Sequence, residues 1–535
     1  MEVKVMPVKN NKDNTVKKND SEIEQIENNL GQFIEKEYGI RPAEDACDEP
    51  DNQTISDNDT KDIQKQEKRK RRKSNREIVI AAYICMMIIV AMIVYLGKFI
   101  AADNTEMLSN PYNKLQGVLE KYTKRGDILS ADGKVLATTV TDSNGNEIRE
   151  YPYGKMYAHS VGFVGKGKTG IESTYNIYML NSSINPVYEA ITELKGEKNP
   201  GDDVVTTLDS KLQKVAYDAL GSYKGAVLVM NPDNGEIRAM VSKPDYNPNT
   251  IAVDWNKIVN EDDEESALLN RATQGLYPPG STFKLITMLE YIRENNNYED
   301  FSFQCKGDAD IEGVKVNCHN KKSHGKLDIN MALAKSCNGA FAKMGTSLDI
   351  ESYNNTCSQL LFGKELPYTG QYSKSIFDLP TDANAGLITQ TSFGQGNTMI
   401  SPLHAGIIVS AIANGGYIVT PHLVSHVQGG DNMTVRSFSY SKGEQVMTDR
   451  EVKALRKAMG DVVNSGTAYA LSASNYKVYG KTGSAEYDSS GESHAWFVGY
   501  ARKNKEKLVV SIIVEGAGTG SEYAVPIAKK IFDSY

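Results

Sequence analysis

The stretch "IVIAAYICMMIIVAMIVYLG", Ile78 to Gly97, runs twenty residues without a charge. As a helix rising 1.5 Å per residue it covers about 30 Å, the thickness of a bilayer's hydrocarbon core. One segment of the chain is therefore committed to lipid, and the remainder has to fold as two separate aqueous parts. A cleaved signal peptide would be shorter and closer to Met1, so the spacing predicts a retained, single-pass anchor. "KRKRRK", Lys68 to Lys73, lies just before the span. Positive residues stay on the cytoplasmic side, which puts the N-terminus inside the cell and everything after about Ala101 outside. Such a run could also mark a nucleic-acid patch, but the whole chain carries a net charge of -8. Phosphate contacts need a basic surface, so no nucleic-acid partner is expected, and the run reads as an orientation signal with some attraction to anionic lipid.

The anchor divides the sequence. Residues 1–76 are rich in Asn, Asp, Glu and Lys with few aromatics. They bury too little apolar surface to offset ordering entropy and are expected to form a disordered cytoplasmic tail, with the transmembrane helix over 77–100. Residues 101–205 carry short alternating segments punctuated by "ADGK" and "DSNGNE", which predicts a small β-rich domain of hairpins. Residues 206–535 begin with "TTLDSKLQKVAYDAL", whose Leu208, Leu212, Val215, Ala216 and Leu220 have helical spacing. "GAVLVM" and "IRAMVS" then flank "NPDNGE" as a hairpin, and "AWFVGYA" and "LVVSIIVEG" read as further strands before a closing helix. The expected fold class is α+β, an antiparallel sheet flanked by helices.

Within that larger segment, "YPPGSTFKL" places Ser281 and Lys284 three residues apart at the start of a helix. Positions i and i+3 share a face, so hydroxyl and amine can meet. Taken alone the pair has a plainer alternative, a helix-capping serine and a solvated lysine. Two further elements follow in order: "SCN", Ser336 to Asn338, between two helical patterns, and "KTGS", Lys481 to Ser484, after "YKVYG". Here too each has a plainer alternative, with Ser336 and Asn338 as a cap, Lys481 as a strand-end charge and Thr482-Gly483 as a turn. Three elements in this order within one domain match the S-x-x-K, S-x-N, K-T-G signature of serine acyl-transfer enzymes that react with penicillin.

On these motifs the sequence resembles the class B penicillin-binding proteins, monofunctional D,D-transpeptidases of cell-wall synthesis. The resemblance extends over roughly residues 101–535 and includes "GAVLVMNPDNGEIRAMVSKPDYNPN", "FGQG" and "HAWFVGYA" in the larger domain. "RGDILSADGKVLAT" and "YPYGKMYAHSVGFVGKGKTGIESTYN" are similar to the family's pedestal, a dimerisation-like domain. Ser130, Ala131 and Asp132 stand where the pedestal motif usually reads Asp-Arg-Asn, and Ser484 replaces a usual Thr. The resemblance implies peptidoglycan stem peptides and β-lactams as ligands. It also implies a SEDS-type glycosyltransferase partner, because no polymerase domain fits between membrane span and pedestal.

The chemistry asks for these residue types. Ser281 attacks a carbonyl, and Lys284 serves as base only when neutral, a state that desolvation and the nearby Lys481 favour. Backbone N–H groups at the helix start receive the oxyanion, with the Ser484 N–H as second donor by resemblance. Ser336 relays a proton to the leaving amine and Asn338 orients the substrate peptide. Lys481, Thr482, Gly483 and Ser484 form the strand that takes the carboxylate end of D-Ala-D-Ala or of a penicillin. The competing readings are a D,D-carboxypeptidase or β-lactamase, which use water as acceptor, and a non-catalytic penicillin sensor. No Glu-x-x-Leu-Asn stretch lies between Asn338 and Lys481, which weighs against a class A lactamase.

Six cysteines occur, with Cys47 in the tail and Cys85 in the span. Cys305, Cys318, His324 and Cys337 form C-x12-C-x5-H-x12-C, a ligand set suited to a tetrahedral structural zinc. A Cys305 to Cys318 disulfide and unpaired thiols are the alternatives. The serine chemistry needs no cofactor.

Overall fold

The computed structural model describes residues 57–102, 114–260, 266–438, 440, 442–486 and 492–535. The chain divides into two compact units, Met1–Lys98 and Phe99–Tyr535. Residues 1–56, most of the expected tail and Cys47, lie outside the described residues.

The described part of the first unit lies within the helix Asp57–Ala102. Its stretch Arg76–Lys98 is long and apolar enough to cross a membrane, and its side chains are exposed. The helix starts at Asp57, inside the segment expected to be disordered. Gln, Lys, Glu and Arg dominate residues 61–73 and are good helix formers, so the apolar helix propagates backwards without paying for a second nucleus.

In the second unit one sheet has five antiparallel strands in the spatial order Ile237–Lys243, Gly225–Met230, Glu506–Val514, Ser493–Lys503, Lys477–Glu486. Every residue of Gly225–Met230 is buried, the pattern of a strand covered on both faces. Leu228 and Ser511 are cross-strand partners that face the helix Pro402–Asn414, where a Cβ on Gly406 would touch both side chains. Phe497 and Ile512 have the opposite parity and face the C-terminal helix Ala524–Ser534 through Phe532. Pro402–Asn414 is apolar around its circumference and buried from Pro402 to Ala413, as a core helix must be. The strand carrying "KTGS" is an edge strand of this sheet, so half of its backbone groups are unclaimed by the sheet.

A second sheet, of six strands, runs Thr434–Ser437, Val424–Gln428, Asp203–Thr206, Ile128–Leu129, Val135–Thr141, Glu147–Glu150. Two of its strands come from residues 424–437, within the 206–535 segment, so the two domains share chain. Behind it Glu172 is fully buried between Arg125 and Arg149, with 2.7 Å bonds from each Nε. Asp132, at the altered pedestal motif, accepts from the Ser210 hydroxyl at 2.6 Å and from its backbone N–H at 3.3 Å. Ser210 opens the helix Ser210–Leu220, so Asp132 joins the two domains there.

Candidate active site

The nucleophile segment is held by close backbone approaches that only glycine permits. Gly280 has φ +52, and a Cβ built on it would lie 2.7 Å from the Ser484 carbonyl oxygen. Its N–H donates to Gly394 O at 2.9 Å, and a Cβ on Gly394 would lie 2.1 Å from Gly280 O. Trp496 Nε1 donates to Pro278 O at 3.0 Å. Pinned in this way, Gly280–Thr282 makes one 3-10 turn that feeds the helix Lys284–Glu294. Ser281 remains half-buried while the residues behind it are buried.

Lys284 is fully buried, and four oxygens surround its Nζ: Asn338 Oδ1 at 2.7 Å, Ser336 O at 2.8 Å, Ser281 Oγ at 3.1 Å and Ser336 Oγ at 3.3 Å. An ammonium has three hydrogens, so four oxygens exceed its donors. Two of the four, the Asn338 and Ser336 carbonyls, only accept. A neutral amine spends its two hydrogens on those carbonyls and turns its lone pair to a hydroxyl. Burial brings the lysine from 10.5 down to about 8, opposed by nearby charge on the Cys337 and Cys318 thiols. The Phe341 and Phe393 rings, 5.5 and 6.0 Å from Nζ, complete this poorly hydrated site.

Ser336 bridges two lysines. Its Oγ lies 2.9 Å from Lys481 Nζ as well as 3.3 Å from Lys284 Nζ. The residue holds φ +54 between the helices Ile329–Ala334 and Asn338–Gly345. A non-glycine residue in that region costs about 1–2 kcal/mol, strain of the kind that gathers at functional sites. Lys481 is fully buried, and its affinity for a proton is lowered by burial first and by Lys284 second. It also donates to Thr482 O at 2.8 Å.

Asn338 is pinned at both ends, its Nδ2 donating to Asn317 O at 2.9 Å while Oδ1 accepts from Lys284. One amide hydrogen remains for a substrate. On the edge strand, Ser484 pairs with Ala495 and its carbonyl points at Gly280, away from the sheet. A strand residue's N–H and C=O share one side, so the Ser484 N–H also faces the nucleophile segment. Thr482 Oγ1 is tied to Thr467 Oγ1 at 2.5 Å. Far from a solvated charge and a turn, Lys481, Thr482 and Gly483 are buried mid-strand. All eight serine-site residues anticipated from the sequence converge here. Thr467, the Asn317 carbonyl and the Phe341 ring join them unannounced by any motif, whereas Phe393 opens "FGQG".

Cys305, Cys318, His324 and Cys337 also converge, with all ligand atoms within 4.8 Å of one another. Cys305 to Cys318 and Cys318 to Cys337 are 3.7 Å apart at sulfur, and Cys305 Sγ lies 3.4 Å from His324 Nδ1. A tetrahedron with metal–sulfur bonds of about 2.3 Å and a metal–nitrogen bond of about 2.0 Å has edges of about 3.8 and 3.5 Å, which these distances match. A disulfide needs sulfurs about 2.05 Å apart, so the Cys305–Cys318 bridge is not formed and these cysteines are free. The hydrogen bond between Cys318 and Cys337 lowers the Cys318 thiol and pushes Cys337 up.

Residues 225–533 match the penicillin binding protein transpeptidase domain, and residues 125–204 match the penicillin binding protein A dimerisation domain. The peptidoglycan D,D-transpeptidase MrdA of Acinetobacter baumannii is 29% identical over 451 residues, covering 72% of this chain and 65% of that protein. The peptidoglycan D,D-transpeptidase PbpA of Mycolicibacterium smegmatis is 27% identical over 491 residues, covering 85% and 97%. Among solved structures, the D,D-transpeptidase domain of an Eggerthella lenta peptidoglycan glycosyltransferase superposes with TM-score 0.69 at 29% identity, over 77% of this chain and 98% of that one. The imipenem acyl-enzyme of Mycobacterium tuberculosis penicillin-binding protein A gives TM-score 0.70 at 25% identity, over 78% and 99%.

Proposed function

The chain belongs to the class B penicillin-binding protein transpeptidases, and on that premise we propose that it cross-links peptidoglycan stem peptides through an acyl-enzyme on Ser281. The observation that carries the reading is the Lys284 amine, buried, short of hydrogens and 3.1 Å from Ser281 Oγ. Ser281 Oγ attacks the carbonyl between the two D-alanines while its proton passes to Lys284 Nζ. The oxyanion is received by backbone N–H groups of Ser281 and Ser484. Ser336, fed by Lys284 and Lys481, hands a proton to the leaving D-alanine, and the C–N bond breaks. An amine of a second stem peptide then attacks the ester, the same groups work in reverse, and Ser281 is regenerated. Lys481, Thr482, Gly483 and Ser484 hold the substrate's carboxylate end along the edge strand, and Asn338 steers the peptide with its remaining amide hydrogen. A penicillin enters the same site and stops at the ester.

The anchor places the catalytic unit on the outer side of the cell membrane, with "KRKRRK" inside. Glycan strands come from a partner, a SEDS-type polymerase. Cys305, Cys318, His324 and Cys337 hold a structural zinc, whose chemistry is to neutralise thiolates and fix their positions. Cys337 thereby anchors the turn that presents Ser336, and the Asn317 carbonyl beside Cys318 anchors Asn338. The test is a cross-linking assay on lipid-linked precursor polymerised by the partner, with acceptor and water products separated. Cross-linked dimers that vanish with penicillin are expected; release of D-alanine with water as sole acceptor would make the protein a carboxypeptidase.

A further inference from the structure

A second cleft opens between the smaller and larger domains, lined by His159, Tyr175, Tyr246, Thr273, Tyr368 and Gln371 among others. Its lining contains no Asp, Glu, Lys or Arg. Burial lowers its histidine, His159, to about 4, so the ring is neutral at pH 7. Burial raises the pKa of the lining tyrosines Tyr175, Tyr246 and Tyr368, which keep their protons. A charged ligand would lose its hydration here with nothing to pair it, so an ion or a zwitterion is rejected. A neutral one is not.

The walls are nevertheless polar. Asn270, Gln274 and Gln371 bring amides, alongside the three phenol rings. Gln274 spends its carbonyl on the Asn270 N–H at 3.2 Å. Thr273 is 99% buried, lines the cleft, and its hydroxyl has no partner among the described residues. An orphaned buried hydroxyl costs about 1–3 kcal/mol. Aromatic faces combined with uncharged amides and hydroxyls are the chemistry that recognises an N-acetylated pyranose: C–H faces against rings, acetamido and hydroxyl groups against amides.

The cleft is wired to the serine site. Thr273 O accepts from Ser373 N, and Arg271, two residues earlier, donates to Glu515 Oε1 at 2.8 Å. That same oxygen accepts from Tyr277 Oη at 2.6 Å, four residues before Ser281. From this arrangement we propose that the cleft binds the uncharged N-acetylated sugar backbone of a glycan strand, holding the strand while its charged stem peptide goes elsewhere, to the serine site. The proposal rests on the peptidoglycan reading above.

The experiment uses full-length protein in a detergent without sugar groups, with Ser281 blocked by penicillin, and measures binding of tetra-N-acetylchitotetraose by saturation-transfer NMR and calorimetry. The blocked protein should bind it, and Gln371→Ala and Tyr368→Ser should each weaken binding at least tenfold. The deacetylated, cationic oligomer should not bind. Fluorescent penicillin labelling of both variants at the parent rate shows that they fold, and Gln371 is exposed, so its truncation leaves the core intact. No binding by the blocked parent, equal binding by both variants, or equal binding of the cationic oligomer overturns the proposal and leaves a crevice that holds water only. Normal penicillin labelling with no sugar binding sinks this site alone, whereas loss of labelling at Ser281 sinks the transpeptidase reading.

Discussion

Raising the pH across the acidity constant of Lys284 perturbs the proposed base without changing a residue. A lysine at its usual 10.5 is neutral in about one molecule in 3,000 at pH 7; at about 8, the burial-lowered value, the neutral fraction is about one in eleven. Desolvation therefore supplies about 300-fold more working base. The second-order rate of acylation by a fluorescent penicillin, measured by rapid quench between pH 6 and 10, should climb tenfold per unit and level off above about 8. A rate that is flat from pH 6 to 9, or still climbing at pH 10, refutes the assignment. Lys284→Arg sharpens the test, because a guanidinium offers donors but stays protonated. It should lower the rate by about 10²–10⁴, and near-parent acylation would place the base elsewhere. The same shift acts on stability. The folded value lies below the unfolded one, so between about 8 and 10.5 the unfolded chain binds more protons and stability rises with pH. Below 8 the buried lysine costs about 3 kcal/mol.

Gly280→Ala sets a side chain 2.7 Å from Ser484 O at a left-handed φ. Stability should fall by about 1–2 kcal/mol and acylation by about 10²-fold as nucleophile and edge strand separate, read by thermal melting and labelling rate; parent rates would show that the contact is slack. Protein purified without added zinc should carry about one zinc per chain by elemental analysis, and a chelator should lower the melting temperature and slow acylation together. Metal-free protein with two thiols missing in denaturant would replace the metal with a disulfide. Protease added outside intact cells should digest residues after Ala101 and spare those before Lys68; the reverse pattern inverts the topology.

The serine site was legible because its chemistry is written in short local spacings. Ser281 and Lys284 meet across one helical turn, and "SCN" and "KTGS" each travel as a unit. The cysteine set was legible as a possible cluster, and the structure brings its members together with sulfurs 3.7 Å apart. Hairpins such as Gly225–Met230 with Ile237–Lys243 followed from short apolar runs on either side of turn residues. The strands at 424–437 did not, since Thr434–Ser437 is exposed throughout and Val424–Gln428 finds Asp203–Thr206 more than 200 residues away in sequence. Nor does any spacing foretell that Ser336 adopts φ +54 or that Thr467 steadies Thr482. Those features depend on distant packing. The helical residues from Asp57 were misjudged because composition weighs burial and not propagation from a neighbouring helix.

The central claim is that Ser281 is the residue that becomes acylated. Full-length protein incubated with penicillin, digested and sequenced by mass spectrometry should carry the penicilloyl mass on Ser281 alone, and folded Ser281→Ala should carry none. An adduct on any other residue, or undiminished labelling of Ser281→Ala, would contradict the account.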